Sequence, residues 1–437
     1  MKQMRANWLR SPKAVPMGAV MAVTCALAAG CSSSTSSGSA PGSSASAPGS
    51  SAPGSSASAP TGSAVRVMIE GLGPDAPAAV ETVAAPEVFT VFKAAAEYVN
   101  AHGGAGGHKI QVDTCYDQAN PTLSAGCARQ AVASHDVAVV APLILTSDNV
   151  LPVLAQAHIP FFGAFPLSPM DFSSPDSFPV TAGGVGEEAG VGYILAREGC
   201  KKMGVLYTAE PVTEATVADV AAAAEANGAQ VVAKVSLPMT SVDASSQIAQ
   251  IESAGAGCVA LAVQNNQVPA IVVAIRQSGK QLTIGSPSAG FAGKVLGTLG
   301  GNANGVYLTG SAALPTDTGN AVVKQMLAAA KQYEGGSQQP ESSFSTLTWA
   351  DAQLLFNDVI GKIDGAVTGQ SVTAGIEALK DATTGVIGPY TGSTPPALAA
   401  YSRLINYGLT FWQIKDDKPV SMQSGFTNVA GSLKALS

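Results

Sequence analysis

Side chains suited to solute binding occur in two groups along this chain. In the first group the hydroxyl residues Thr146 and Ser147 precede a predicted helix, and Phe165 and Ser168 follow the next apolar run. Backbone N–H groups and a hydroxyl at a helix N-terminus favour an anionic group such as a carboxylate. Helix N-capping is an alternative role for Thr146 or Ser147, and the two roles are compatible.

The second group has polar side chains that also follow short apolar runs. It contains Tyr207, Glu210, Asn265, Asn266 and Ser288. The carboxylate of Glu210 suits a cationic group, and the two amides suit a neutral polar group. Solvation in an open loop is the alternative for each of these residues. Together the two groups predict a binding site for a small polar organic molecule.

Catalytic and cofactor motifs are weak. The four histidines have no metal-ligand spacing, and the acidic residues form no pair that suggests general acid and base catalysis. The segment from Gly184 to Ala189 fits a relaxed dinucleotide pattern, but no apolar strand precedes it. The sequence therefore predicts a binding protein without enzyme activity, metal or cofactor.

The first 31 residues match an exported lipoprotein. Four basic residues precede an apolar stretch from about residue 14 to 29, which is shorter than a membrane span of about 20 residues. The small residues before Cys31 resemble a bacterial lipobox, at which the thiol is acylated. We expect Cys31 to carry lipid and to anchor the protein to the outer face of the cell membrane. An ordinary signal peptide that is cut elsewhere is the alternative.

Residues 32–63 contain only Ser, Ala, Pro, Gly and two Thr. A segment without large apolar side chains cannot form a core. We therefore predict that these residues form a disordered tether, with a root-mean-square reach of roughly 30 Å. Loss of residues 1–31 removes four of the 23 basic residues and leaves 19 against 30 acidic residues. This acidic balance argues against nucleic acid as a partner.

Apolar runs alternate with Ala-rich helical stretches after the tether, which indicates α/β lobes with doubly wound parallel sheets. The predicted strands are 65–70, 109–115, 137–141, 160–163, 203–207, 230–237, 258–263, 281–285 and 409–415. The predicted helices are 86–101, 121–134, 150–157, 186–198, 215–227, 246–254, 269–278, 321–333, 344–360 and 371–380. Ligands bind such sheets at the carboxyl ends of the strands, so we expect a cleft between two lobes.

Four cysteines remain after Cys31, and they allow three pairings. Cys200 and Cys258 fall at the starts of two strands that are neighbours in a 2-1-3 order. Cys115 ends a strand, and Cys127 lies on the following helix. We therefore predict the disulfides Cys115–Cys127 and Cys200–Cys258, with four buried free thiols as the alternative.

Several segments together resemble the solute-binding proteins of ABC importers. The resemblance is to the Leu/Ile/Val-binding group, which has the type I periplasmic-binding-protein fold. It covers the chain from about Val65 onward and rests on the order and spacing of these segments. They are 92–100, 103–107, 141–143, 157–160, 204–207, 388–392 and 411–416.

The resemblance implies three crossings between lobes, near Thr181, near Ser311 and around 390–406. Lobe 1 would comprise 64–181 and 312–400, and lobe 2 would comprise 182–311 and 401–437. The lobes would close by a hinge on a ligand, and a monomer would deliver that ligand to ABC permease subunits in the membrane. A lipid-anchored sensor that signals to a membrane partner without transport is the alternative.

The chain departs from the family pattern at three aligned positions. Leu167 lies where amino-acid-binding members have a hydroxyl residue, and Pro287-Ser288 lies where they have an acid. Val212 lies where an aromatic residue is usual. Because neither Leu167 nor Pro287-Ser288 can replace a carboxylate facing an ammonium group, the departures argue against a branched-chain amino acid as the ligand.

Overall fold

A five-stranded parallel sheet forms the centre of the first lobe. The computed structural model describes residues 59–77, 85–336 and 338–436. The strands of this sheet are β1 (Val65–Gly71), β2 (Ile110–Tyr116), β3 (Val139–Val140), β4 (Phe161–Phe162) and β5 (Ser177–Phe178). Their spatial order is β2-β1-β3-β4-β5. On β1 the side chains alternate, because Val67 and Ile69 enter one core and Met68 enters the core on the other face.

The second sheet is mixed. Its strands are β6 (Lys202–Thr208), β7 (Gln230–Leu237), β8 (Cys258–Ala262), β9 (Thr283–Pro287), β10 (Tyr307–Gly310), β11 (Gly408–Lys415), β12 (Lys418–Ser421) and β13 (Thr427–Asn428). The order is β12-β11-β10-β9-β8-β6-β7, and β13 pairs with β11. Strands β6 to β10 are parallel, whereas β11 is antiparallel to β10. All five residues of β8 are buried, as expected for a parallel strand that is covered on both faces.

Helices pack against both sheets. They are α1 (Glu87–Ala101), α2 (Pro121–Ser134), α3 (Ser147–Ala157), α4 (Pro169–Ser173), α5 (Gly183–Arg197), α6 (Pro211–Ala226), α7 (Ser245–Ser253), α8 (Val268–Gln277), α9 (Gly293–Leu299), α10 (Ala321–Glu334), α11 (Ser343–Gln353) and α12 (Gly369–Glu377). Helix α2 starts at residues that favour a helix N-terminus. Asn120 accepts hydrogen bonds from two first-turn N–H groups, and Pro121 occupies the first helical position. The predicted α/β fold with two lobes is confirmed.

The chain passes between the two lobes three times. Strand β5 belongs to the first sheet and β6 to the second, and residues from Ala312 to Tyr390 return to the core of the first lobe. Strand β11 then rejoins the second sheet. The Asn406 side chain donates hydrogen bonds to the carbonyl oxygens of Val180 at 2.9 Å and Gly388 at 3.1 Å, so it ties the first and third crossings together. The exact residues at which one lobe ends and the other begins stay predictions.

Each lobe contains one of the two disulfides expected from the sequence. Cys115–Cys127 joins the end of β2 to α2, with a Cα–Cα distance of 5.6 Å. Cys200–Cys258 joins the residues that lead into β6 and start β8, with a Cα–Cα distance of 6.1 Å. Strands β6 and β8 are hydrogen-bonded neighbours, which explains the approach of these two cysteines.

Some elements differ from the sequence prediction. Helix α3 begins at Ser147, three residues before the predicted start, so Thr146 is its N-cap residue. The predicted helix at 344–360 is α11 followed by a π-helical turn over Leu354–Val359. The short strands β5, β10, β12 and β13 were not predicted. The predicted signal peptide, Cys31 and residues 32–58 of the tether lie outside the described residues.

Candidate functional site

The predicted binding residues lie near the carboxyl ends of parallel strands in both sheets. Thr146 and Ser147 follow β3, and Phe165 and Ser168 follow β4. In the second lobe the predicted residues belong to, or follow, the ends of β6, β8 and β9. This edge is where doubly wound sheets bind ligands. Among the described residues, no hydrogen bond joins a predicted binding residue of the first lobe to a predicted binding residue of the second lobe.

The hydroxyl groups in the first lobe form two separate hydrogen-bonded groups. Thr146 Oγ1 hydrogen-bonds to Ser124 Oγ. Ser147 Oγ lies 2.9 Å from Ser168 Oγ, which donates to Asp148 Oδ1 at 2.6 Å. The structure therefore brings three of the four predicted residues of this lobe into polar contact with their surroundings, and the Ser168 hydroxyl, which also accepts from Asp171 N–H, is fully hydrogen-bonded.

The N-terminus of α3 is left open by its N-cap residue. Thr146 makes no side-chain capping bond to α3. The N–H groups of Ser147 and Asp148 donate no hydrogen bond within the described part of the chain, whereas Asn149 N–H donates to Thr146 O at 2.9 Å. Free N–H groups at the start of an 11-residue helix are suited to an anionic group.

Ser168 has a structural role as well. Its hydroxyl accepts from Asp171 N–H, and Asp171 Oδ2 accepts from the N–H groups of Ser168 at 2.8 Å and Leu167 at 2.9 Å. This capping box starts α4 and fixes the loop after β4. Phe165 is buried in the same loop, and its ring packs edge-on against Phe344 at a centroid distance of 5.2 Å.

In the second lobe Glu210 has a neutral partner. Gln264 Nε2 donates to Glu210 Oε2 at 3.1 Å, and Gln264 N–H donates to Thr208 Oγ1 at 3.0 Å. Thr208 Oγ1 in turn donates to Gln267 Oε1 at 2.6 Å. No basic side chain of the described residues pairs with Glu210, so its charge remains available to a ligand.

The remaining predicted residues of this lobe differ in exposure. Tyr207 and Asn265 are half-buried and Asn266 is exposed. Ser288 is only 3 % exposed, and its hydroxyl has no hydrogen-bond partner among the described residues. A buried hydroxyl without a partner costs stability, so Ser288 is a strong candidate for contact with a bound molecule.

Sequence analysis missed two acids at the same edge of the first sheet. Glu70 lies near the end of β1 and Asp117 follows β2, and both are fully buried. Both Glu70 carboxylate oxygens lack a hydrogen-bond partner, whereas Asp117 Oδ1 accepts from Ala119 N–H at 2.6 Å. Burial raises the pKa of both groups, and the charge of Asp117 raises that of Glu70 further. An acid near the end of an otherwise apolar strand was the available signal.

Within residues 59–77, 85–336 and 338–436, no group of three or more His, Cys, Asp or Glu side chains is arranged to hold a metal ion. No helix within these ranges has the length and apolar character needed to cross a membrane.

Comparison with protein-family models identifies the chain. A model described as periplasmic binding protein matches residues 78–397, which is most of the sequence. The chain belongs to the periplasmic binding protein family. This match confirms the resemblance drawn from the sequence. The chain is a solute-binding protein, and its family is one of binding proteins rather than of enzymes. No curated protein sequence matches this binding protein.

Solved structures share the fold of this binding protein at low sequence identity. A putative branched-chain amino acid ABC transporter protein from Rhodospirillum rubrum is 18% identical, with a TM-score of 0.65, and the match covers 82% of this chain and 100% of the other. A solute binding protein of an ABC transporter from Rhodopseudomonas palustris, in complex with 3,4-dihydroxy benzoic acid, is 16% identical, with a TM-score of 0.65 and coverage of 84% and 98%. A branched-chain amino acid transporter substrate binding protein from Streptococcus pneumoniae, in complex with isoleucine, is 15% identical, with a TM-score of 0.64 and coverage of 83% and 99%.

Proposed function

We propose that this binding protein captures a small polar organic molecule in the cleft between its lobes and delivers it to an ABC importer. The ligand class is an amino acid, an amide or a small carboxylate. The observation that carries the proposal is the open N-terminus of α3, where the N–H groups of Ser147 and Asp148 lie beside the hydrogen-bonded hydroxyls of Ser147 and Ser168. A carboxylate of the ligand would accept from these groups.

The second lobe would hold the other end of the ligand. The Glu210 carboxylate has only a neutral partner, and the Ser288 hydroxyl has none among the described residues. These groups suit a polar or cationic substituent. The proteins from Rhodopseudomonas palustris and Streptococcus pneumoniae are in complex with 3,4-dihydroxy benzoic acid and isoleucine, and each of these molecules carries one carboxylate. Of the proposed ligand classes, amino acids and small carboxylates share that group.

The proposed location is the outer face of the bacterial cell membrane, with lipid on Cys31 and residues 32–63 as the tether. The basic residues, the apolar stretch and the small residues before Cys31 support this proposal. We propose that the protein acts as a monomer and that its membrane partner is the permease.

Cell fractionation and uptake test the anchor and the transport role together. Substitution Cys31→Ser removes the thiol and should move the protein from the membrane fraction to the medium or periplasm. Loss of uptake of a solute that binds the purified protein, in cells that lack this chain, would support the importer role. Unchanged uptake together with a lost transcriptional response to that solute would instead identify a sensor.

A further inference from the structure

A buried glutamine links three loops at the carboxyl ends of strands in the second sheet. Gln267 immediately precedes α8 and is only 1 % exposed. Its side chain contacts Thr208, the last residue of β6, and the loop that follows β7, while its own backbone ends the loop that follows β8. We call Gln267, Thr208 and Gln264 the loop hub, because their hydrogen bonds connect the three loops.

The partners of the Gln267 amide determine its orientation. Its Nε2 lies 3.0 Å from Pro238 O and 2.8 Å from Ser241 O. Backbone carbonyl oxygens only accept hydrogen bonds, so the amide nitrogen must face them and donate. Gln267 Oε1 therefore faces the Thr208 hydroxyl, at 2.6 Å from Oγ1. Because this amide oxygen is only an acceptor, Thr208 donates its single hydroxyl proton to it.

The same reasoning fixes the bonds on the far side of Thr208. Its Oγ1 has no further proton, so it accepts from the backbone N–H of Gln264 at 3.0 Å. Gln264 Nε2 in turn donates to Glu210 Oε2 at 3.1 Å, since an ionised carboxylate only accepts. An unbroken series of contacts thus connects Glu210, a candidate ligand contact, with the carbonyl oxygens of the loop after β7.

Few other contacts hold the loop after β7. Residues 238–240, 242 and 243 are exposed, with Met239 at 49 % and Val242 at 68 %. Burial of apolar surface therefore contributes little to the position of this loop. Among the described residues outside 238–245, Gln267 is the only one whose side chain hydrogen-bonds to it. The buried amide of Gln267 would in turn be costly to leave without these partners, so the loop and the hub depend on each other.

We propose that Gln267 is a positioning residue of the binding site, which holds the loops after β6, β7 and β8 in one arrangement. This role deepens the proposed function and rests on it, since Gln267 acts through Thr208 and Gln264 rather than by touching the ligand. Without the Gln267 amide, the Thr208 hydroxyl is free to rotate and the loop after β7 loses its donor. The three loops then move separately, and Glu210 loses its fixed orientation.

Hydrogen exchange measured by mass spectrometry tests this coupling without any ligand. Peptides that contain residues 207–213, 237–245 and 262–266 are compared in the parent chain, which carries Cys31→Ser, and in the same chain with Gln267→Met. Methionine has a similar length but no amide, so we expect exchange to become about tenfold faster in all three peptides. Gln277→Met, at an exposed position of the same helix, is the control and should leave them unchanged. Faster exchange in the peptide with 262–266 alone would show that Gln267 acts only on its own loop, and would overturn the proposal.

A variant that can regain a proton separates hydrogen bonding from packing. Gln267→Glu keeps the size of the side chain, but an ionised carboxylate cannot donate to the carbonyl oxygens after β7. A protonated carboxyl donates one hydrogen bond and still accepts from Thr208, so acid should restore the hub. Glu210 and Asp243 are the ionisable residues of the three loops, and their negative charge favours the protonated form. We expect this variant to exchange like Gln267→Met at about pH 9 and to approach the parent chain at about pH 5.5. Exchange as fast as in Gln267→Met at both pH values would contradict the proposal.

Substitutions at Thr208 keep the test decisive if the variants at position 267 do not fold. Thr208→Val removes the hydroxyl at nearly constant shape, so Gln264 N–H loses its acceptor and Gln267 Oε1 loses its donor. Exchange should then become faster in the peptides with 237–245 and 262–266. Thr208→Ser keeps the hydroxyl and should exchange more like the parent chain. Equal exchange in the two variants would argue against the hub.

Ligand binding completes the test. The parent chain, Gln267→Met and Gln277→Met are melted with isoleucine, glutamine and 3,4-dihydroxybenzoate in turn. A compound that raises the Tm of the parent chain should raise that of Gln267→Met by about half as much or less, and that of Gln277→Met in full. A full rise in Gln267→Met would overturn the positioning role. If no compound raises the Tm of the parent chain, the proposed function loses support, whereas hydrogen exchange still decides the role of Gln267.

Discussion

Glu187 accepts two hydrogen bonds from Ser311, one from the backbone N–H at 2.9 Å and one from the hydroxyl at 2.7 Å. Ser311 follows β10 at the second crossing, and Glu187 lies in the second turn of the helix that follows the first crossing. The pair therefore ties two crossings together in lobe 2. Burial raises the pKa of Glu187 to about 7, although the bonds from Ser311 lower it in part.

Stability should increase as the pH falls from 8 to 5. The pKa of Glu187 rises from an ordinary 4.5 to about 7 in the folded chain, so the folded state binds the proton more tightly than the unfolded state. This contribution is present below pH 4.5 and is lost as the pH rises through about 7. Protonation of Glu187 contributes at most about 3 kcal/mol to the free energy of unfolding. Urea unfolding at pH 8, 6.5 and 5 measures it.

The variant Glu187→Gln is the control for this pH effect. It keeps an oxygen acceptor for Ser311 and removes the titration, so its stability should vary less with pH than that of the parent chain. Asp136, whose pKa burial also raises to about 7, should leave part of the pH dependence in place. Equal pH dependence in the parent and the variant would exclude Glu187 as a source.

Close packing of α5 against α6 should make Gly192 intolerant of a side chain. A Cβ atom at Gly192 would overlap Val220 O, whereas one at Gly297 in α9 would meet nothing within 4 Å. We expect Gly192→Ala to lower the free energy of unfolding by about 1–3 kcal/mol. Gly297→Ala should raise it by up to about 1 kcal/mol, because alanine favours a helix. Urea unfolding of both variants compares them, and equal effects would contradict this packing.

Replacement of Ser288 and of Ser147 by alanine should have different effects on the free energy of unfolding of the ligand-free chain. The Ser288 hydroxyl is buried without a partner, so Ser288→Ala should leave the stability of the ligand-free chain unchanged or higher. The Ser147 hydroxyl bonds to Ser168 Oγ, so Ser147→Ala should cost about 1 kcal/mol. Chemical denaturation separates the two. A clear loss of stability in Ser288→Ala would assign that hydroxyl a structural role.

Removal of the disulfides should destabilise the two lobes to different extents. Cys200–Cys258 closes a loop with a sequence separation of 58, against 12 for Cys115–Cys127. In the chain-entropy description the longer loop contributes about 4 kcal/mol and the shorter about 3 kcal/mol. Unfolding of the paired Cys→Ser variants measures both. Mass mapping of a non-reduced digest checks the pairings, and a peptide pair that crosses the lobes would contradict them.

The sequence predicted the architecture because its signals are local and repeat along the chain. Apolar runs such as Cys258–Ala262 specify buried parallel strands, and a 2-1-3 strand order explains the pair Cys200 and Cys258. The start of α3 was predicted three residues late, because Thr146 makes no side-chain cap and Pro152 lies inside the helix.

The parts that sequence reasoning missed depend on contacts between distant residues. Glu187 and Ser311 are 124 positions apart, and Asn406 bonds to Val180 over 226 positions. Neither pair carries a local signal. Trp349 and Asp351 lie on α11, and both are buried in the first lobe, with Asp351 against Gly163. Helical spacing alone does not tell a core face from a cleft face.

Ligand-dependent thermal stability most directly tests the claim that the cleft binds a small carboxylate-bearing solute. The chain with Cys31→Ser is melted with isoleucine, glutamine, succinate, 3,4-dihydroxybenzoate and sucrose in turn. A compound at about 100 times its Kd stabilises the folded state by roughly 2.7 kcal/mol. We predict that a carboxylate-bearing compound raises Tm, and that the double variant Ser147→Ala, Ser288→Ala reduces the rise. No shift with any carboxylate, or a shift that the double variant retains in full, would contradict the account.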